Sequence, residues 1–138
     1  QEVLETIQQF GLNVYLNNLG YVSHVEAIAH QRKSQVLILI EINSADTKSI
    51  IPGKLFEYMV SNRPIIAIGP RDSDFSEIIT NTNTGVFFDY SEKLKLKRVI
   101  LDFYNQFLEG KLQSNGVGLQ NYSRRNLTKN LVELLNKM

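Results

Sequence analysis

No cysteine occurs among the 138 residues of this chain. That absence excludes a disulfide framework, thiol catalysis and cysteine-bound metals, and it accords with a reducing compartment. An excess of charge of either sign is also missing, since 15 Lys and Arg stand against 14 Asp and Glu for a formal net charge of +1. Non-specific nucleic-acid binding needs a broad basic footprint, so no nucleic-acid partner is expected. Long apolar runs are lacking too: the longest, Val36 to Ile42, is interrupted by Glu41 and is far too short to cross a bilayer. The two histidines, His24 and His30, lie six apart on one expected helix and point in different directions, the wrong arrangement for a shared metal. No internal repeat is visible. The first residues carry Glu2 and Glu5 without a base, unlike a signal peptide, and Gln1 stands where a methionine would start a chain. The expectation is a segment that begins inside a longer protein.

What is present is ordinary globular composition, 43% apolar and 21% charged. A chain of this length forms one domain, residues 1–138, and buries roughly two thirds of the surface its unfolded form exposes. Val3, Leu4, Ile7 and Phe10 carry the spacing of an amphipathic helix that Gly11 ends. Asn13 to Leu19 alternates like a strand stopping at Gly20. Ser23 and Glu26 form a capping box for a helix reaching Arg32 or Lys33. The run Gln35 to Ile42 is apolar on both faces and reads as the centre of a parallel sheet.

A polar connection follows, then a helix from Lys54 to Ser61 with Leu55, Phe56, Met59 and Val60 on one face and Lys54 and Glu57 on the other. Strands are expected at Ile65 to Ile68 and Gly85 to Phe88. Asp74 with Glu77 reads as the cap of a short helix through Ile79. Ser91 reads as the cap of a long helix with its stripe on Leu94, Val99, Ile100, Phe103, Phe107 and Leu108, closed by Gly110. Ser123 to Leu135 forms the last amphipathic helix. Strands alternating with helices in this rhythm make an α/β domain, a Rossmann-like parallel sheet flanked by helices.

Ligands of such sheets bind beyond the carboxyl ends of the strands, here Gly20 to Ser23, Asn43 to Lys54, Gly69 to Ser73 and Asp89 to Ser91. In that set the segment Pro52-Gly53-Lys54-Leu55-Phe56-Glu57-Tyr58 is the most informative. Proline and glycine at the mouth of a helix leave its first N–H groups open to an anion, and Glu57 lies one turn further in. Phosphate donors followed by a carboxylate acceptor suit a nucleotide. Asp72-Ser73-Asp74 has the spacing of an Asp-x-Asp metal motif, but Asp74 before Phe75-Ser76-Glu77 reads as a helix cap, and no metal site is expected.

The order and spacing of these landmarks resemble the C-terminal nucleotide-sugar-binding domain of GT-B glycosyltransferases, most closely the large retaining family commonly numbered four. They are Val14 to Val22 with Gly20, the strand Val36 to Ile42, Pro52 to Tyr58, Arg63-Pro64 with its apolar strand, and Gly85 before Val86-Phe87-Phe88. The resemblance implies a UDP- or GDP-sugar donor as substrate, no cofactor, and transfer to a glycan or lipid-linked acceptor. It implies that Glu57 accepts hydrogen bonds from the ribose hydroxyls and that amides near Pro52, Gly53 and Lys54 hold the diphosphate. The Lys54 ammonium would supplement them, and Tyr21 and Val22 would lie against the base.

No catalytic residue is assigned. The family often carries a second glutamate eight positions before the one matching Glu57, and here that position is Ser49. By the same resemblance the chain is the C-terminal half of a GT-B fold that lacks its first strands and the N-terminal acceptor domain, so this segment alone is not expected to turn over. Pairing of its first two strands, or association with another copy, would close the gap. The setting implied is the cytoplasmic face of the plasma membrane in surface polysaccharide synthesis, with the basic run Lys93 to Arg98 as a peripheral membrane contact or, more simply, a solvated helix face. Two other readings stand beside it: a nucleotide-sugar epimerase of similar architecture and a non-catalytic α/β interaction domain.

Overall fold

Three short apolar segments pair into one sheet in the computed structural model, which describes residues 2–137. They are β1 (Leu37–Ile40), β2 (Ile65–Ile68) and β3 (Gly85–Phe88), all parallel and in the order β1-β2-β3. The helices among the described residues are α1 (Glu2–Gln9), α2 (His24–Lys33), α3 (Lys54–Met59), α4 (Asp74–Thr82), α5 (Lys93–Leu108) and α6 (Arg124–Leu135). The architecture is α/β, a small parallel sheet flanked by helices and compatible with a Rossmann-like fold.

β2 is the central strand. Ile65, Ile66 and Ala67 are all buried, as a strand covered on both faces requires. On one face Leu39, Ile65 and Ala67 meet Leu55 and Met59 of α3 and Phe75 and Ile79 of α4 in the main core. Phe75 also meets the Phe87 ring edge-on at 5.4 Å. β3 approaches β2 so closely at Gly85 that an added Cβ would stand 2.0 Å from the Ile65 carbonyl oxygen. Only glycine fits that rung.

Several elements differ from the sequence expectation. Asn13 to Leu19 is not a strand: Asn13–Tyr15 form a 3-10 turn, and Val14, Tyr15, Leu16 and Leu19 are exposed. A strand requires a neighbour to bond, and among the described residues none lies beside this segment, so pairing of the first two expected strands does not occur. The apolar run at β1 is at the sheet's edge rather than its centre, with Leu37 and Leu39 buried and Ile38 and Ile40 exposed. α3 ends at Met59, two residues early, and Val60 points to solvent. The helix after β2 begins one residue earlier in its cap, at Ser73, and continues to Thr82.

α5 is capped by Glu92, not Ser91, because both the N–H and the hydroxyl of Ser91 are taken by the Asp89 carboxylate. Its expected stripe is only thinly covered. Val99 and Phe103 are half-buried, while Leu94, Ile100, Phe107 and Leu108 are exposed. α2, α5 and α6 contain no buried residue at all. The accessible surface is 10443 Å², whereas a compact monomer of 15.8 kDa exposes about 7,300 Å². A large apolar area is therefore left without a partner in the isolated chain.

Candidate functional site

The loop leaving β1 is ordered by its own polar groups. Glu41 N–H makes the last rung to Ile68 O at 2.9 Å, and its carboxylate turns to accept from Ile42 N–H at 2.8 Å. The hydroxyl of Thr47 then donates to the carbonyls of Ile42 and Ser44, and Lys48 O accepts from Asp74 N–H at 2.9 Å. These bonds pin the loop to the start of α4 and deliver the chain to Pro52 near the carboxyl end of the sheet.

Gly53 is the N-cap of α3, already helical in φ and ψ, and it supplies no side-chain bond to the helix. Leu55 N–H closes back on Pro52 O at 2.9 Å. Nothing stands within 4 Å of where a Gly53 Cβ would be, so the backbone is open to approach. Leu55 and Met59 anchor the opposite face in the core, which turns Lys54 outward and leaves Glu57 half-buried.

Glu57 makes a contact that the sequence did not announce. Its Oε2 accepts from Gln31 Nε2 of α2 at 3.2 Å. A carboxylate can only accept, so the bond fixes which end of the Gln31 amide faces it. Gln31 Oε1 is consequently buried without a partner. The Lys54–Glu57 ion pair that their spacing permits is absent among the described residues, and one carboxylate oxygen of Glu57 remains uncommitted. Beside it, burial first and the Glu57 charge second push the Tyr58 hydroxyl above its usual pKa.

The remaining expected contacts lie further off. Tyr21 is fully exposed and Val22 half-buried, just before the N-terminus of α2, where Ser23 and Glu26 form the expected capping box. Gln31 and Glu57 meet near the other end of that helix, about 12 Å along its axis from Ser23 at ~1.5 Å per residue. Glu57, Lys54, Gly53 and Pro52 thus form one cluster, and Tyr21 and Val22 form another.

A second polar group lies beyond the carboxyl ends of β2 and β3. Arg71 pairs with Asp89, and Lys95 with Glu92, around a cavity of about 330 Å³ also lined by Asp72 and Ser76. Hydrogen bonds from Ser91 and then Arg71 lower the Asp89 pKa to about 2, and the bond from Lys95 lowers that of Glu92. Tyr90 bonds Glu41 O and so ties the end of β3 to the end of β1. Its signal in the sequence was the Asp89-Tyr90-Ser91 turn. These charges satisfy one another and act as a latch at the start of α5.

No group of three or more His, Cys, Asp or Glu among the described residues could hold a metal ion. Ser73 caps α4 by position, without a side-chain hydrogen bond, and Asp74 is the first helical residue. Comparison with protein-family models, with curated proteins and with solved structures finds no match.

Proposed function

We propose that this chain is the donor-binding half of a two-domain glycosyltransferase of GT-B architecture, holding a UDP- or GDP-sugar for transfer to a glycan or lipid-linked acceptor. The observation that carries the reading is the Glu57 carboxylate, half-buried and oriented by Gln31, behind the open turn Pro52-Gly53-Lys54. Its uncommitted oxygen can accept from one hydroxyl of a ribose diol while the oxygen held by Gln31 shares the second. Amides around Gly53 and Lys54 face the diphosphate, and the Lys54 ammonium adds charge. Tyr21 and Val22 lie against the base at the far end of α2.

The strand order supports the same reading. Consecutive parallel strands β1-β2-β3 match the outer half of a 3-2-1-4-5-6 sheet, whose inner strands would lie against the free edge of β1. Transfer itself requires the acceptor to be brought within reacting distance by another domain. The work is done at the cytoplasmic face of the plasma membrane, where the exposed Lys93 and Lys97, one turn apart on α5, face anionic lipid. No helix among the described residues is long and apolar enough to cross a membrane.

A non-catalytic interaction domain is the second reading, favoured by the exposed apolar surface on α5 and α6. Titration calorimetry separates the two. UDP or GDP binds the chain, and Glu57→Ala weakens that binding about tenfold or more, the loss expected of a hydrogen bond to a charged group. A folded chain that binds neither nucleotide overturns the donor-site reading and leaves the interaction domain.

A further inference from the structure

We propose, resting on the donor-site reading, that Tyr122 is a positioning residue for Glu57: it braces α3 from the side and so holds the carboxylate in register without touching the ligand. α3 cannot set its own geometry. It has six residues, Gly53 caps it without a side-chain bond, and a helix of that length is marginal without tertiary support. Leu55 and Met59 anchor one face in the core. Phe56, the residue before Glu57, is only half-buried and needs a second support.

A return of the chain supplies it. After α5, residues 111–122 run back past the end of α4 and are fastened there: Val117 N–H donates to Thr82 O at 2.7 Å, and Asn83 Nδ2 donates to Asn115 O at 3.1 Å. The backbone lies close against Thr84 as well, since a Cβ at Gly116 would stand 3.1 Å from Thr84 Cγ2. Gly118, at φ +66°, then turns the chain into a 3-10 turn, Leu119–Tyr122. Leu119 and Tyr122 pack against the main core, and the Tyr122 ring meets the Phe56 ring at 6.1 Å, within the range of attractive aromatic pairs.

Two features make this contact a brace for position. A cavity of about 110 Å³ remains among Phe56, Met59, Val60, Leu119 and Tyr122, so the Phe56 ring has room to move once Tyr122 is gone. Successive residues stand about 100° apart around a helix, so a turn of α3 about its axis that shifts Phe56 carries Glu57 with it. The single bond from Gln31 at 3.2 Å then stretches or breaks. Gln31 holds the carboxylate itself; Tyr122 holds the helix that carries it.

Hydrogen exchange and calorimetry test this together. Val60 and Ser61 N–H close the end of α3 on Phe56 O and Tyr58 O, whereas Gly69 N–H, at the end of β2, bonds Phe88 O. Tyr122→Ala is expected to speed exchange at Val60 and Ser61 about tenfold, the effect of losing one aromatic pair, and to leave Gly69 at the parent rate. It also weakens UDP binding several-fold, and Tyr122→Phe, which keeps the ring, restores both. Should Tyr122→Ala fail to fold, Tyr122→Leu, apolar but without the ring, takes its place. Parent exchange at Val60 and Ser61 overturns the proposal whether or not UDP binds; so does parent UDP affinity in the alanine chain, or a phenylalanine chain that behaves like alanine. If the exchange result holds but the parent chain binds no UDP, the donor-site reading alone falls and the brace of α3 stands.

Discussion

Adding one methyl group at Gly85 sets a carbon 2.0 Å from Ile65 O, in a rung that cannot move without breaking the ladder; the same addition at Gly53 meets nothing. Gly85→Ala is therefore expected to lower unfolding stability by roughly 1–3 kcal/mol in denaturant titration, the usual cost of overpacking. Gly53→Ala should stay within about 0.5 kcal/mol, because Gly53 already has helical φ and ψ, and the chain entropy that alanine saves offsets the weaker cap. If the donor phosphates approach that backbone, Gly53→Ala weakens UDP binding at unchanged stability. Gln31→Leu leaves the fold intact and weakens UDP binding several-fold by releasing the Glu57 carboxylate, while equal affinity in the two chains would show that Gln31 plays no positioning part. The position of Glu57 one turn behind Pro52 and Gly53 was legible in the sequence because that spacing is local. Gln31 was not, since its link to Glu57 spans 26 positions and depends on how α2 crosses α3.

Among the elements, β2 and β3 have the boundaries their sequences predict, because apolar runs bounded by Pro64, Gly69 and Gly85 leave little choice. The segment Asn13 to Leu19 carries a similar alternation without becoming a strand. Alternation only prepares a face for pairing, and pairing is decided by distant residues. α2 has no buried residue, so its capping box bears more of its stability than usual. Ser23→Ala should cost about 1 kcal/mol and speed amide exchange through the first turn of α2.

The latch at the start of α5 responds to acid in a defined direction. Asp89 titrates at about 2 instead of its ordinary 3.8, held down by Ser91 and Arg71. Its stabilising contribution is complete above the ordinary value and disappears as pH falls through about 2. Asp89→Asn should accordingly be less stable than the parent chain at neutral pH and equal to it at the acid end of that window. A constant difference across the whole range, read from denaturant midpoints, would show that Asp89 acts by shape and not by charge.

For the molecule as a whole, the excess of exposed surface is the dominant fact. β1, α5 and α6 present apolar faces of the kind that normally meet another element, and the sequence could not reveal this because the same residues read as core wherever a partner is assumed. That is why the run at β1 resembles a central strand and forms an edge. Its apolar pattern records what a strand with two neighbours needs, and among the described residues only β2 is present beside it.

A donor site requires that a nucleoside diphosphate settle at the turn between Pro52 and Glu57. Backbone amide NMR during a titration with UDP or GDP tests this most directly. Saturable shifts are expected at Gly53, Lys54, Leu55 and Glu57 with a smaller set near Tyr21 and Val22, all abolished by Glu57→Ala. Nucleotide that leaves those amides unmoved, or shifts only residues around Arg71 and Lys95, would contradict it.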